Sequence, residues 1–193
     1  MNMKIINEDL AEKWKNESIN TAKEMNLFSE NIIKELERVP LLILYEYPPK
    51  DLNEIFGHVG TYFYNPSKDI IIEGPHISIY YKNYSNSFDE FFGLLKKKGV
   101  YDSEIEKKIR NLLSEDDIFE IYNQSGMDHE LLGHIGNKLI GKNGDEKDAC
   151  VTQYVVANYR GKTNKKWEFA AEFIRYFQTK HRGVPLEEYK PRG

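Results

Sequence analysis

Cysteine is nearly absent: Cys150 is the only one in 193 residues, which excludes an internal disulfide and fits a reducing compartment. Also missing is any run near the roughly 18 apolar residues that a membrane-spanning helix needs. The opening MNMKIINEDL has no apolar stretch leading to a small-residue cleavage site. A soluble protein kept in the cytoplasm is the expectation, with no membrane partner. Positive charge is not in excess either: 27 basic against 31 acidic residues leave a net charge of −4, spread along the whole chain. No basic face is available for a phosphate backbone, so nucleic acid is not an expected partner. Repeats, linkers and low-complexity stretches are lacking. With 40% hydrophobic residues, the length suits one domain over 1–193 with one sizeable core.

Over residues 7–38, apolar side chains such as Leu10, Trp14, Ile33 and Leu36 recur at helical spacing between charges, predicting a long helix or a pair stopped at Pro40. Leu41 to Tyr47 is an apolar run ended by Pro48 and Pro49 and reads as a buried strand. Strands over 60–64, 70–73 and 76–82 follow, separated by the turn 65–69 and the break Gly74-Pro75, and are expected to be mostly antiparallel. From Phe88 onward the period lengthens to nearly four. Helices are predicted over 87–98, 102–114, 116–123, 126–140, 145–159 and 164–180. The class is α+β: an N-terminal helix and a small sheet, then a helical half that carries the chemistry.

That chemistry is concentrated in Met127-Asp128-His129-Glu130-Leu131-Leu132-Gly133-His134, which holds two of the five histidines. Neutral imidazoles suit zinc, and a carboxylate beside the metal can take a proton from an activated water. Histidines four apart on a regular helix differ by about 40° in direction and can share a metal; five apart, they differ by about 140°. His129 and His134 are five apart, so chelation requires one extra residue taken up as a π-type bulge. Gly133 sits where the bulge is needed, at a cost of about 1 kcal/mol against alanine. An amphipathic helix with incidental histidines would leave that glycine without a reason.

Catalytic zinc sites usually take three protein ligands. In Trp167-Glu168-Phe169-Ala170-Ala171-Glu172-Phe173, Glu168 and Glu172 share a helical face. Glu168 is therefore the favoured third ligand, with Glu172 hydrogen-bonding a ligand histidine. Glu146 or Asp148, in Gly144-Asp145-Glu146-Lys147-Asp148-Ala149-Cys150, is the alternative, similar to the acidic-Ala-acidic helix of some zincins. It ranks second because the 141–144 loop looks short for that helix to fold back.

HELLGHIGNKL, beginning at His129, resembles the His-Glu-x-x-Gly-His motif of dipeptidyl peptidase III and the residues just after it. The Glu-Phe-Ala-Ala-Glu-Phe segment is similar to the glutamate helix of lethal-factor-like gluzincins. The resemblance spans residues 127–173 and implies a zincin-like fold and a zinc metallopeptidase. It makes His129, His134 and Glu168 the ligands of one Zn2+ per chain, Glu130 the general base and Glu172 the supporting acid. Dipeptidyl peptidase III is a much larger two-lobed enzyme, so only the zinc chemistry carries over.

A peptide or protein substrate is the partner so implied. Its developing oxyanion needs a donor besides zinc, with Tyr154, Tyr159, Tyr176 and His181 as candidates. The strand over 76–82 could bind substrate as an added strand, if it lies at a sheet edge. Two rival functions use the same motif: a zinc-binding protein without hydrolytic activity that serves as a partner-binding module, and a toxin-like or self-processing protease with a single target.

Overall fold

The computed structural model describes residues 4–45, 56–65, 70–83 and 85–186. Helices α1 (Glu8–Glu24) and α2 (Glu30–Glu37) form the expected N-terminal pair. The Asn7 side chain accepts from the Leu10 N–H and so satisfies one of the unpaired donors at the start of α1. Trp14 is fully buried and its indole N–H donates to Glu120 at 2.9 Å, which ties α1 to the helical half.

Three strands follow: β1 (Leu41–Leu44), β2 (Gly57–Asn65) and β3 (Ile70–Tyr80), in the order β1-β3-β2. β1 runs parallel to β3 and β2 antiparallel, so the sheet is mixed rather than mostly antiparallel. The expected strands 70–73 and 76–82 are one continuous strand, because Gly74 at φ 101° carries the chain through the Gly-Pro step without ending the ladder. β3 is central: Ile77–Tyr80 face β1 on one side, and most of the same residues face β2 on the other. Over Ile77–Ile79 it therefore offers no edge for an added substrate strand. The residues expected to end β1, Pro48 and Pro49, and most of the turn before β3, residues 66–69, lie outside the described residues.

The helical half contains α3 (Phe88–Lys97), α4 (Ser103–Leu112) and α5 (Glu115–Met127). Ser114 and Asp117 cap α5 reciprocally. The break expected between helices 116–123 and 126–140 is absent. α5 runs into a π-helical segment, Asp128–Gly136, and ends in the turn α6 (Asn137–Leu139), with helical dihedrals at both junctions. Gly126 serves packing, since a Cβ there would stand 2.5 Å from the Phe56 ring. Two antiparallel helices finish the described chain: α7 (Glu146–Gly161), capped by Asp145, and α8 (Lys165–Arg182), closed by Gly183 at φ 65°.

The π segment lies against the core. Met127, Leu131, Leu132 and Ile135 are fully buried with Trp14, Leu36, Ile77 and Ile79. A second cluster, around Phe91, Leu95, Ile109 and Ile118, lies between α3, α4 and the aromatic face of α8. Among the described residues no helix is long and apolar enough to cross a membrane.

Candidate metal centre

Hydrogen bonding from residue i to i+5 stacks residues five apart, as i to i+4 bonding stacks residues four apart in an α-helix. Over Asp128–Gly136 the helix takes this form, and the five-residue step of the histidines becomes a shared face. The rings of His129 and His134 stand edge to face with centroids 4.9 Å apart. Ligand atoms of His129, Glu130 and His134 all lie within 4.8 Å of one another.

The next carboxylate is brought in by α7. Gly141 and Gly144 both adopt left-handed backbone, at φ 82° and 59°, so the short loop reverses tightly. A Cβ on Gly144 would stand 2.5 Å from the His134 carbonyl oxygen, a position only glycine tolerates. α7 then crosses the π segment at Gly133, where a Cβ would lie 2.7 Å from the Ala149 Cα. This contact places the first residue of α7, Glu146, over the imidazoles. Its Oε2 is 3.4 Å from His129 Nε2, and its Oε1 is 3.4 Å from His134 Nε2.

The tautomer of His134 follows from its other nitrogen. The Gly144 carbonyl can only accept, so Nδ1, 2.7 Å away, carries the proton and Nε2 keeps its lone pair for a metal. His129 Nδ1 is buried with no hydrogen-bond partner among the described residues. Asn137 braces the segment from below, donating to the Gly133 carbonyl at 2.7 Å and to Thr152 Oγ1 of α7 at 2.9 Å.

The two carboxylates are pushed in opposite directions. Burial holds the Glu130 carboxyl above its ordinary value, although His129 and His134 pull it back. Burial also opposes ionisation of Glu146, but its close contacts with the His129 and His134 imidazoles outweigh it and hold that carboxyl well below the usual carboxylate range. Burial disfavours the charged form of His134. The Glu146 carboxylate and the Gly144 carbonyl overcome it and raise the imidazole above its usual value. One carboxylate is thus kept ionised against two imidazoles while the second is left more basic than an ordinary glutamate. Two imidazole nitrogens and one carboxylate are also a donor set that suits zinc and leaves a fourth position open.

Glu168 and Glu172 are not brought to the histidines. Both are exposed, and Glu168 sits at the start of α8, where a Cβ on Gly161 would stand 2.9 Å from its Cα. Gly161 ends α7 and Glu146 begins it. At 1.5 Å rise per residue these ends are about 22 Å apart, so Glu168 belongs to the far end of the hairpin. Of the candidate third ligands, Glu146 rather than the favoured Glu168 is the carboxylate brought to the histidines. Asp148 turns inward instead, accepting from the Gly144 N–H at 3.0 Å and fixing the loop.

The expected oxyanion donors are dispersed. Tyr159 donates to Glu24 at 3.4 Å near the far end of α7, Tyr176 donates to the Val100 carbonyl at 3.3 Å, and Tyr154 is buried beside Cys150 and Ile174. The His181 ring lies against Phe177, 5.2 Å between centroids. Burial, with Lys98 and Arg182 nearby, lowers its pKa. The Cys150 thiol is buried and pushed up to about 12, so it is no nucleophile.

Two features had no sequence signal. The Arg182 guanidinium, at the end of α8, pairs with Glu146. Beside the centre, an apolar cavity of about 140 Å³ is bordered by His129, Glu130 and Arg182. Its walls come from α3, α4, α5, α7 and α8, elements distant in sequence whose meeting no local pattern predicts.

Compared with models of known protein families, with curated proteins and with solved structures, the chain matches none of them.

Proposed function

We propose that the chain is a zincin-like, zinc-dependent peptidase in which His129, His134 and Glu146 hold one zinc ion and Glu130 is the general base. The observation that carries this reading is the Glu146 carboxylate, with one oxygen 3.4 Å from each histidine Nε2. A bound zinc would supply Lewis-acid polarisation of the scissile carbonyl and acidify a water beside it.

The chain's own groups account for the rest. Glu130, buried next to the imidazoles and more basic than an ordinary glutamate, takes the proton of the attacking water and delivers it to the leaving amine. The Gly144 carbonyl keeps His134 in the tautomer that presents Nε2. Arg182 sits beside Glu146 and is a cationic donor at the reacting region, in the role expected of Tyr154, Tyr159, Tyr176 or His181.

The test pairs two measurements: metal content of the purified protein by elemental analysis, and hydrolysis of a fluorogenic peptide library by the zinc-loaded protein. One zinc per chain with hydrolysis of the library supports the reading. Zinc without hydrolysis of any peptide or protein points to the partner-binding module, and no zinc after zinc addition overturns the assignment altogether.

A further inference from the structure

The cavity beside the candidate centre is almost wholly apolar, walled by Phe91, Leu95, Ile118, Phe173 and Phe177. Its rings meet at tilted angles, with centroids 5.7 Å apart for Phe91 and Phe173 and 6.1 Å for Phe173 and Phe177. Such arrangements accept a further ring edge-on or offset. An apolar cavity of about 150 Å³ holds a benzene-sized ring, and this one measures about 140 Å³. A ring entering it comes to rest beside His129 and Glu130, where a peptide would be cut.

One part of the wall is polar, and its hydrogen bonds run in a fixed direction. Gln153 donates to the Ser125 carbonyl at 3.0 Å and to Ser125 Oγ at 2.8 Å. Gln178 in turn donates to Gln153 Oε1 at 2.7 Å. This chain commits the Gln178 amide nitrogen and leaves its Oε1 as an acceptor with no partner, although Gln178 is only 6% exposed. A buried acceptor left empty is costly. A lone water would find few further partners against these walls.

We infer that this cavity is the specificity pocket of the peptidase: it takes an aromatic substrate side chain with a hydrogen-bond donor, tyrosine or tryptophan, next to the scissile bond, and Gln178 Oε1 accepts from that donor. The inference rests on the peptidase reading for its biological meaning. The ligand chemistry of the pocket can be measured without zinc or turnover.

Two experiments test it together. In the first, metal-free protein is titrated with p-cresol and with toluene, followed by calorimetry, in wild type and in Gln178→Met. Wild type should bind p-cresol roughly three- to tenfold tighter than toluene, the range expected for one neutral hydrogen bond, and Gln178→Met should reverse the order. Ala170→Leu, which adds bulk to the cavity wall, should weaken both ligands, and it serves if Gln178→Met does not fold. In the second, zinc-loaded protein is given peptides differing only by Tyr or Phe beside the cleaved bond, and kcat/KM should favour Tyr by a similar factor. Hydrolysis with no Tyr preference, together with equal binding of the two small ligands, would overturn the pocket and leave the peptidase standing. Selective p-cresol binding with no hydrolysis of any peptide would overturn the peptidase and leave the pocket's ligand chemistry standing.

Discussion

Gly133 and Ala149 bring two helices nearly to backbone contact: a Cβ on Gly133 would stand 2.7 Å from the Ala149 Cα and 2.9 Å from its Cβ. The obstacle is backbone, so a side chain cannot rotate away to make room. Gly133→Ala must push α7 outward or shift the π segment, and Glu146 moves with α7. We expect a loss of stability of about 1–3 kcal/mol, the usual cost of overpacking, seen as a lower midpoint in urea unfolding. Zinc affinity should fall with it. A variant of unchanged stability would mean that the helices are not in this contact.

Glu146 and Glu168 are two of the candidates for the third ligand, beside Asp148, and they differ in position by the length of α7. Glu146→Ala should lower zinc affinity by more than the roughly 10–100-fold typical of losing a hydrogen bond to a ligand. Glu168→Ala, at the far end of the hairpin, should leave affinity unchanged. Competition with a chromogenic chelator reads both. A larger loss in Glu168→Ala would return the third position to the glutamate helix.

The placement of these residues shows where the sequence was legible. The five-residue step between His129 and His134, read against helical geometry, demanded a π-type distortion, and a π segment spans both residues. Local chemistry dictated it, so it could be foreseen. Which carboxylate reaches the histidines depended on how a four-residue loop reverses, and loop length alone made 141–144 look too short. Left-handed backbone at Gly141 and Gly144 makes a short loop the tighter reversal. The helix periods of the second half were readable for the same local reason, while the parallel pairing of β1 with β3 was not, because register between distant strands leaves little trace in either strand. The apolar cavity, assembled from five separate helices, left none.

Glu130→Gln should bind zinc as wild type does, because the amide replaces a proton acceptor and leaves the imidazoles and Glu146 in place. Hydrolysis should fall by about 10²–10⁴-fold, the usual contribution of a general base. Peptide turnover measured at equal zinc occupancy checks this. Retained activity would remove Glu130 from the mechanism.

The charges at the centre set a pH dependence whose sign reverses on metal loading. In the metal-free protein His134 is raised above 6.5, so its contribution to stability is complete below pH 6.5 and lost as pH rises through the folded value. Glu146 is depressed below 4.5, so its contribution is complete above pH 4.5 and lost as pH falls through the folded value. Metal-free protein should therefore gain most from the His134–Glu146 pair between pH 4.5 and 6.5. Zinc must displace the extra proton from His134, so its apparent affinity should rise with pH over the range where that gain is lost, roughly tenfold per unit for one proton. Thermal unfolding with and without zinc across this range separates the two. Parallel pH profiles would mean that His134 is not a ligand.

Asp128, one residue before His129, is buried at 1% exposure and paired with Arg160 of α7, itself 8% exposed. Ser18 of α1 donates to the same carboxylate at 2.7 Å, and Thr21 Oγ1 accepts from the guanidinium at 3.2 Å, so three helices meet at one ion pair. A buried pair adds little net stability while intact, because desolvation offsets attraction, but breaking one side leaves an uncompensated charge. Arg160→Leu should therefore cost about 3–5 kcal/mol, and Asp128→Asn combined with Arg160→Leu should cost less than the single Arg160 variant, since the orphaned charge is gone. Urea unfolding of the two singles and the double closes the cycle. If the double were as unstable as the sum of the singles, the two residues would be acting independently, and the anchoring of the π segment to α1 and α7 would rest on packing alone.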